Sequence, residues 1–225
     1  MFRFGPRLIA RWTGIVTFAC VIGGLLATWI ASRTFAHAFD GFYPRFEVLA
    51  IGMAAAGLAH GAVMGAAERL VLEKVLARRI RFFVVLSAVA AAMAWPVWIL
   101  ASASAFDAEL PRVAAYLLAT GFALAVGALI GVSQWLALRE ALPHGAMWIP
   151  VNALAFAAGT GTAIGVFQLI DGLVGAREVA PFVMPLFVGV AAACGGLAVG
   201  VVTGISLMGL GKWTVTPRER FPVTP

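Results

Sequence analysis

Histidine and a small number of polar side chains are the residues of this sequence that could carry chemistry. His60 is the clearest, because it stands in the run AAAGLAHGAVMG, and an ionisable group inside an apolar segment is a candidate functional residue. Ala56 lies one helical turn earlier and leaves room for a flat macrocycle above an axial imidazole, so haem or a chlorophyll-type pigment at His60 is one interpretation. The alternative is a neutral histidine that is hydrogen-bonded to a neighbouring helix. We favour this alternative and predict no cofactor, because no second histidine lies at a matching depth.

A second set of polar residues lies along the apolar block between positions 148 and 170. Asn152 and Gln168 are its candidate polar site, but they are too far apart along a helix axis to act together. Hydrogen bonds between helices are their plainer role, each contributing about 0.6 kcal/mol. Glu68 and Arg69 could mark a polar mouth at the end of another block, although such side chains more often extend to the membrane surface.

The motifs of common enzymes are absent from the sequence. It contains no P-loop, no H-E-x-x-H, no nucleophile elbow and no CxxC pair. The two cysteines, Cys20 and Cys194, lie deep in apolar blocks, where small buried side chains are the plain interpretation. No carboxylate lies near the middle of an apolar block, which argues against a proton-coupled carrier. We therefore predict no enzymatic activity and no metal site.

The elements that must position these residues are long apolar blocks. Of the 225 residues, 62% are hydrophobic and only 12% are charged, which is too little charge to cover a soluble domain of this size. A helix that crosses the hydrocarbon core needs roughly 20 mostly apolar residues. The sequence predicts an all-α membrane protein with a single domain of six transmembrane helices over residues 1–225. The six blocks are Trp12–Ala31, Phe46–Ala67, Phe82–Ser102, Val113–Leu138, Trp148–Ile170 and Phe182–Leu210.

The positions of the basic residues predict the orientation. Alternate connections carry 12 of the 16 lysines and arginines, and the opposite connections carry four. This bias predicts that both termini are cytoplasmic, with residues 211–225 as a cytoplasmic tail. Because the charges lie between apolar blocks, we expect no nucleic-acid binding. Arg78, Arg79 and Arg81 form the densest basic cluster, and we expect them to contact lipid headgroups at about 1 kcal/mol per charge.

An internal repeat relates the even-numbered blocks. Gly61–Lys74 and Gly127–Glu140 are identical at five of 14 positions, and Gly196, Gly200 and Leu207 fall on the same frame. The pattern predicts three parallel helical hairpins, at about 12–76, 82–140 and 148–210, arranged with pseudo-threefold symmetry about the membrane normal.

Glycines spaced four apart predict close helix packing. Residues at this spacing share one helix face, and glycine lets another backbone approach closely. The glycines concerned are Gly57, Gly61, Gly65, Gly127, Gly131, Gly161, Gly165, Gly196, Gly200 and Gly204.

One segment supports a resemblance. Gly131–Arg139, with the run Gln134-Trp135-Leu136, is followed by Trp148 after a short polar turn, and it resembles repeats in uncharacterised bacterial multi-pass membrane proteins. The resemblance covers about forty residues, and the copy at Gly65 departs from it with Glu68-Arg69. It implies a bacterial inner membrane protein and no particular activity.

Three functional hypotheses remain open. The first is a non-enzymatic accessory or scaffold subunit that packs against other transmembrane subunits, as the glycine faces and short loops suggest. The second is a small-solute transporter or channel, which predicts a cavity that touches Asn152 or Gln168. The third is a pigment- or haem-binding subunit that uses His60.

Overall fold

The computed structural model describes residues 6–40, 45–76, 78–107, 110–142, 144–174 and 184–214. These residues form six long α-helices and one 3-10 turn, at Gly145–Met147. The helices are α1 Pro6–Ala38, α2 Phe46–Leu76, α3 Phe83–Asp107, α4 Arg112–Leu138, α5 Trp148–Val174 and α6 Met184–Thr214. The predicted all-helical class is confirmed. Residues 215–225, most of the predicted tail, lie outside the described part.

Five of these helices are long and apolar enough to cross a membrane, and the described apolar part of α3 is the shorter segment Phe83–Val97. Most helices extend beyond the predicted blocks. α1, for example, begins six residues before Trp12 and has 33 residues, about 50 Å at the helical rise. The blocks mark only the part that matches the hydrocarbon thickness, whereas a helix continues into the headgroup region as long as its backbone stays hydrogen-bonded.

The six helices form a closed ring. Each packs against its neighbours in sequence, and α6 packs against α1. Among the described residues no helix backbone packs against a helix that is not its neighbour in the ring. The ring therefore encloses an interior that only side chains can fill.

Glycines of the predicted faces hold three of the ring contacts close, those of α2 with α3, α4 with α5 and α6 with α1. A Cβ atom added at Gly65 would lie 3.2 Å from Cα of Val84 in α3. The same atom at Gly131 would lie 2.8 Å from Cα of Ile149 in α5. Such distances leave no space for a side chain, so the helix backbones themselves are in contact. The other glycines in these three contacts are Gly57 and Gly61 against α3, Gly127 against α5, and Gly196 and Gly200 against α1, while Gly204 meets side chains of α1.

Two of the predicted packing glycines have a different environment. Gly161 and Gly165 face Tyr116 of α4, whose hydroxyl donates a 2.6 Å hydrogen bond to the carbonyl of Gly161. The close backbone contact of this region is made instead by Gly159, whose added Cβ would lie 3.0 Å from the carbonyl oxygen of Gly195 in α6.

One end of the ring is filled by a large core. We call it the basic end, because the arginine-rich segment Arg78–Arg81 lies there. At this end α1, α3 and α5 begin, and α2, α4 and α6 end. Trp12 of α1 and Trp148 of α5 are fully buried in this core, edge to face, with ring centroids 6.1 Å apart. Because α1 and α5 are not neighbours in the ring, these two indoles meet across its interior.

Candidate functional site

A cavity lies inside the ring, on the far side of the tryptophan pair from the basic end. It has a volume of about 180 Å³, and its walls are almost entirely apolar. All six helices contribute to it, so it is coaxial with the ring. Its lining includes Cys20, His60, Met64, Trp95, Ala123 and Thr160.

His60 faces this cavity from α2. Its ring lies 5.4 Å from the ring of Trp95, centroid to centroid, and its other side packs against Gly23 of α1. The Nδ1 atom is buried beside Gly23 and has no hydrogen-bond partner of good geometry in the described part of the chain. The polar contact that His60 makes with a neighbouring helix is with the backbone of Gly23 in α1, outside the usual hydrogen-bond geometry.

The size of the cavity bears on the pigment hypothesis. Pockets for drug-sized ligands occupy about 300–1,000 Å³, and a cavity of about 150 Å³ holds a molecule the size of benzene. At about 180 Å³ this cavity is close in size to the one that holds benzene and is smaller than a pocket for a drug-sized ligand. Ala56, which suggested space above the imidazole, is fully buried and does not line it. A tetrapyrrole at His60 would require the helices to separate.

A buried polar cluster lies nearer the basic end, around the side-chain amide of Gln134. Its Nε2 donates to Oε2 of Glu68 at 2.7 Å and to Oγ of Ser87 at 3.2 Å. Its Oε1 accepts a 2.6 Å hydrogen bond from Nε1 of Trp148. The cluster therefore ties together four successive helices, α2 to α5, and joins the non-neighbours α2 and α4 through the interior.

Glu68 is the unexpected member of this cluster. The sequence favoured a side chain that extends to the membrane surface, but the carboxyl group is only 2% exposed. Within the described ranges no basic side chain forms a salt bridge with it, since Arg69 pairs with Glu73 at 2.9 Å. A carboxyl group inside a membrane domain without a cation is costly, and such groups are functional candidates by default.

A second tryptophan contact resembles the first. Nε1 of Trp12 donates to Oγ1 of Thr203 at 2.7 Å, as Nε1 of Trp148 donates to Gln134. The polar cluster and the tryptophan pair together occupy the axis between the cavity and the basic end. In this conformation they close the cavity on that side.

The polar residues along α5 lie on two different faces of the helix. Thr160 lines the cavity, whereas Thr162 is exposed on the outside of the ring. Gln168 is also exposed. Asn152 is 1% exposed and donates from Nδ2 to the carbonyl of Trp148, one turn earlier. Neither Asn152 nor Gln168 lines the cavity, so the pathway through these two residues has no support.

The internal repeat contains a pattern from which this polar cluster could have been predicted. Its frame aligns Glu68 with Gln134 and, in the third copy, with Thr203. All three are buried, Gln134 donates to Glu68, and Thr203 accepts from Trp12, whose indole meets Trp148 across the interior. A polar residue at the same position of each copy could have been recognised as interior.

The two cysteines are free. Cys20 lines the cavity, and its thiol lies 3.4 Å from the sulfur of Met64. Since Met64 is one turn before Glu68 on α2, the cavity floor lies about 6 Å from the polar cluster along the axis.

Comparison of the chain with protein-family models, with curated proteins and with solved structures gave no match. The described residues form an all-helical fold in which five helices are long and apolar enough to cross a membrane. Its function has to be inferred from the ring and its interior.

Proposed function

We propose that this chain is a bacterial inner-membrane protein with cytoplasmic termini that carries or conducts a small solute through the centre of its helix ring. The observation that supports the proposal is the axial cavity, to which all six helices contribute. The basic end then faces the cytoplasm, in accordance with the distribution of lysine and arginine. The tryptophan pair and the polar cluster act as the closed inner gate.

The character of the walls suggests the class of solute. The cavity presents mainly alanine, glycine and larger apolar side chains, with His60 and Thr160 among its few polar groups. An ion would lose its hydration there without replacement, which is costly. A small, neutral, weakly polar molecule fits this surface best.

A pseudo-threefold arrangement forms part of the same proposal. Three of the close contacts use glycines of the same repeat frame, Gly65, Gly131 and Gly200, and each meets the residue that follows an aromatic near the basic end of an odd-numbered helix; the close contact between Gly159 and Gly195 lies outside this frame. This regularity supports three related units around one axis. A solute pathway along that axis would then be lined by the same helix faces of all three hairpins.

The accessory-subunit hypothesis remains an alternative, but its main argument is weaker. Most of the predicted glycine faces are in contact with helices of the same chain. They are therefore not available for a second protein. The short loops alone do not distinguish an accessory subunit from a transporter.

The proposal can be tested by replacing two threonines of α5 with cysteine and measuring how fast each cysteine reacts. Thr160→Cys faces the cavity, and Thr162→Cys faces outward from the same helix two residues later. Both are made in a Cys20→Ala, Cys194→Ala background and treated with small thiol reagents in sealed membrane vesicles. We expect the cysteine at position 160 to react at least about tenfold faster than the cysteine at position 162. The reactive thiolate forms where water enters a solute pathway, whereas a thiol against lipid stays protonated.

The outcomes separate the hypotheses. Protection of position 160 that increases when the vesicles contain a transported solute would add direct support. Equal and slow reaction at both positions would mean that the ring interior is as inaccessible to water as its lipid-facing side. That result would overturn the proposal and favour the accessory-subunit alternative.

A further inference from the structure

A basic pocket lies at the end of the ring, outside the interior described above. It lies between the connection of α2 to α3 and the last turns of α4, and it has a volume of about 820 Å³. Five arginines and one glutamate line it, together with apolar side chains. The arginines are Arg69, Arg78, Arg79, Arg81 and Arg139.

Two of these arginines hold the pocket together. Arg78 donates to the carbonyl of Glu140 at 2.9 Å and so links the α2–α3 connection to the end of α4. Arg69 donates to Oε1 of Glu73 at 2.9 Å, and the same oxygen accepts the backbone N–H of Ile80 at 2.8 Å. Glu73 is therefore engaged in fixing the walls, whereas the carboxylate of Glu140 lies on the pocket lining, 3.9 Å from Arg78, and its side chain is 77% exposed.

The other three arginines have free donors. Arg79, Arg81 and Arg139 form no hydrogen bond or salt bridge with any residue in the described part of the chain. Each guanidinium carries five N–H donors in a planar fork that matches the oxygens of a phosphate. Three such groups around one pocket provide a strong positive field, which Glu73 offsets only in part through its electrostatic attraction to Arg79.

The backbone of the α2–α3 connection places an aromatic side chain on the wall of this pocket. Phe82 has a φ of 60°, in the left-handed region that aromatic residues rarely adopt. This turn directs its side chain outward, 70% exposed, while Ile80 and Phe83 on either side are buried. Phe82 and Leu136 are thus apolar walls of a basic pocket at the end of helices that can cross a membrane.

We propose that this pocket binds one anionic phospholipid, with the phosphate held by Arg79, Arg81 and Arg139 and an acyl chain against Phe82 and Leu136. A free phosphate ion would use the arginines but not the apolar wall. A diffuse basic surface would attract any anionic bilayer but would not require these three arginines. The proposal is independent of what passes through the ring.

A titration of the purified full-length chain in neutral detergent tests the proposal. The probes are dioleoyl phosphatidylglycerol, dioleoyl phosphatidylcholine and inorganic phosphate, and the measured quantity is the midpoint of thermal unfolding. We expect phosphatidylglycerol to raise the midpoint and the other two to leave it unchanged. The variant Arg79→Gln, Arg81→Gln, Arg139→Gln should need at least about tenfold more phosphatidylglycerol for the same shift, because each guanidinium contributes to the attraction.

The control removes the same charge from the same end of the ring. Arg7, Arg11 and Lys74 are exposed there and do not line the pocket, so Arg7→Gln, Arg11→Gln, Lys74→Gln should keep the wild-type response. An equal loss in both triple variants would show a non-specific charge effect and overturn the proposal. A response to inorganic phosphate that equals the response to the lipid would overturn it as well, in favour of a free-anion site.

Discussion

Replacement of Gln134 by leucine is expected to lower the free energy of unfolding by about 2–3 kcal/mol, because it leaves several buried polar groups without partners. Glu68 loses the amide donor at 2.7 Å, and Nε1 of Trp148 loses its acceptor at 2.6 Å. Hydrogen bonds between transmembrane helices average only about 0.6 kcal/mol. We expect more here because one amide serves three partners and one of them is a carboxyl group without a cation.

A double variant separates the carboxyl group from the rest of the cluster. Glu68→Leu in the Gln134→Leu background removes the orphaned carboxyl and should recover part of the lost stability. Reversible unfolding in mixed SDS micelles, followed by tryptophan fluorescence, measures both. Ser133→Ala is the matched control, since Oγ of Ser133 donates to the carbonyl of Ile130 in its own helix and bonds to no other helix in the described part of the chain. A Gln134→Leu variant as stable as Ser133→Ala would contradict the role of the cluster.

Gly127→Ala is expected to lower the free energy of unfolding by about 1–3 kcal/mol, although alanine is the better helix former by about 1 kcal/mol. The new methyl group would lie 2.5 Å from the carbonyl oxygen of Asn152 and 2.9 Å from Cα of Ala153. Both neighbours are backbone atoms of α5 and cannot move aside separately. The two helices must therefore separate.

Gly121→Ala on the same helix provides the control. Nothing lies within 4 Å of its added Cβ, so only the gain in helix propensity remains, and stability should stay equal or rise by up to about 1 kcal/mol. The difference between the two variants isolates the steric effect from the propensity effect. Two variants with the same stability would mean that α4 and α5 do not touch at Gly127.

The helical class could be predicted from the sequence because a block of about 20 apolar residues has few other solutions. The glycine spacing identified helix faces that need a close neighbour. It could not identify the neighbour, since a GxxxG line fixes a face and leaves the partner open. Gly161 and Gly165 illustrate this limit, because their face meets the hydroxyl of Tyr116 rather than a backbone.

The interior could be predicted less well than the helices. Glu68 lies near the end of an apolar block, and this position does not tell whether the side chain points to lipid headgroups or to the axis of the ring. The direction depends on how α2 is rotated against α1 and α3, which is set by contacts at Gly23, Gly57 and Gly61. The cavity has no local signature at all, because small residues from six helices create it only after the ring has closed.

The contact between α6 and α1 has a consequence for how the protein is made. Among the described residues, every other backbone contact between helices joins consecutive helices and can form as soon as the second of the two has been synthesised. The surface of α1 at Thr13, Thr17 and Cys20 has to wait for Gly196 and Gly200, which are synthesised about 180 residues later. During that interval Trp12 also lacks Thr203, its hydrogen-bond acceptor. Docking of α6 on α1 is thus the step that closes the ring, and a chain without α6 would leave this face of α1 uncovered.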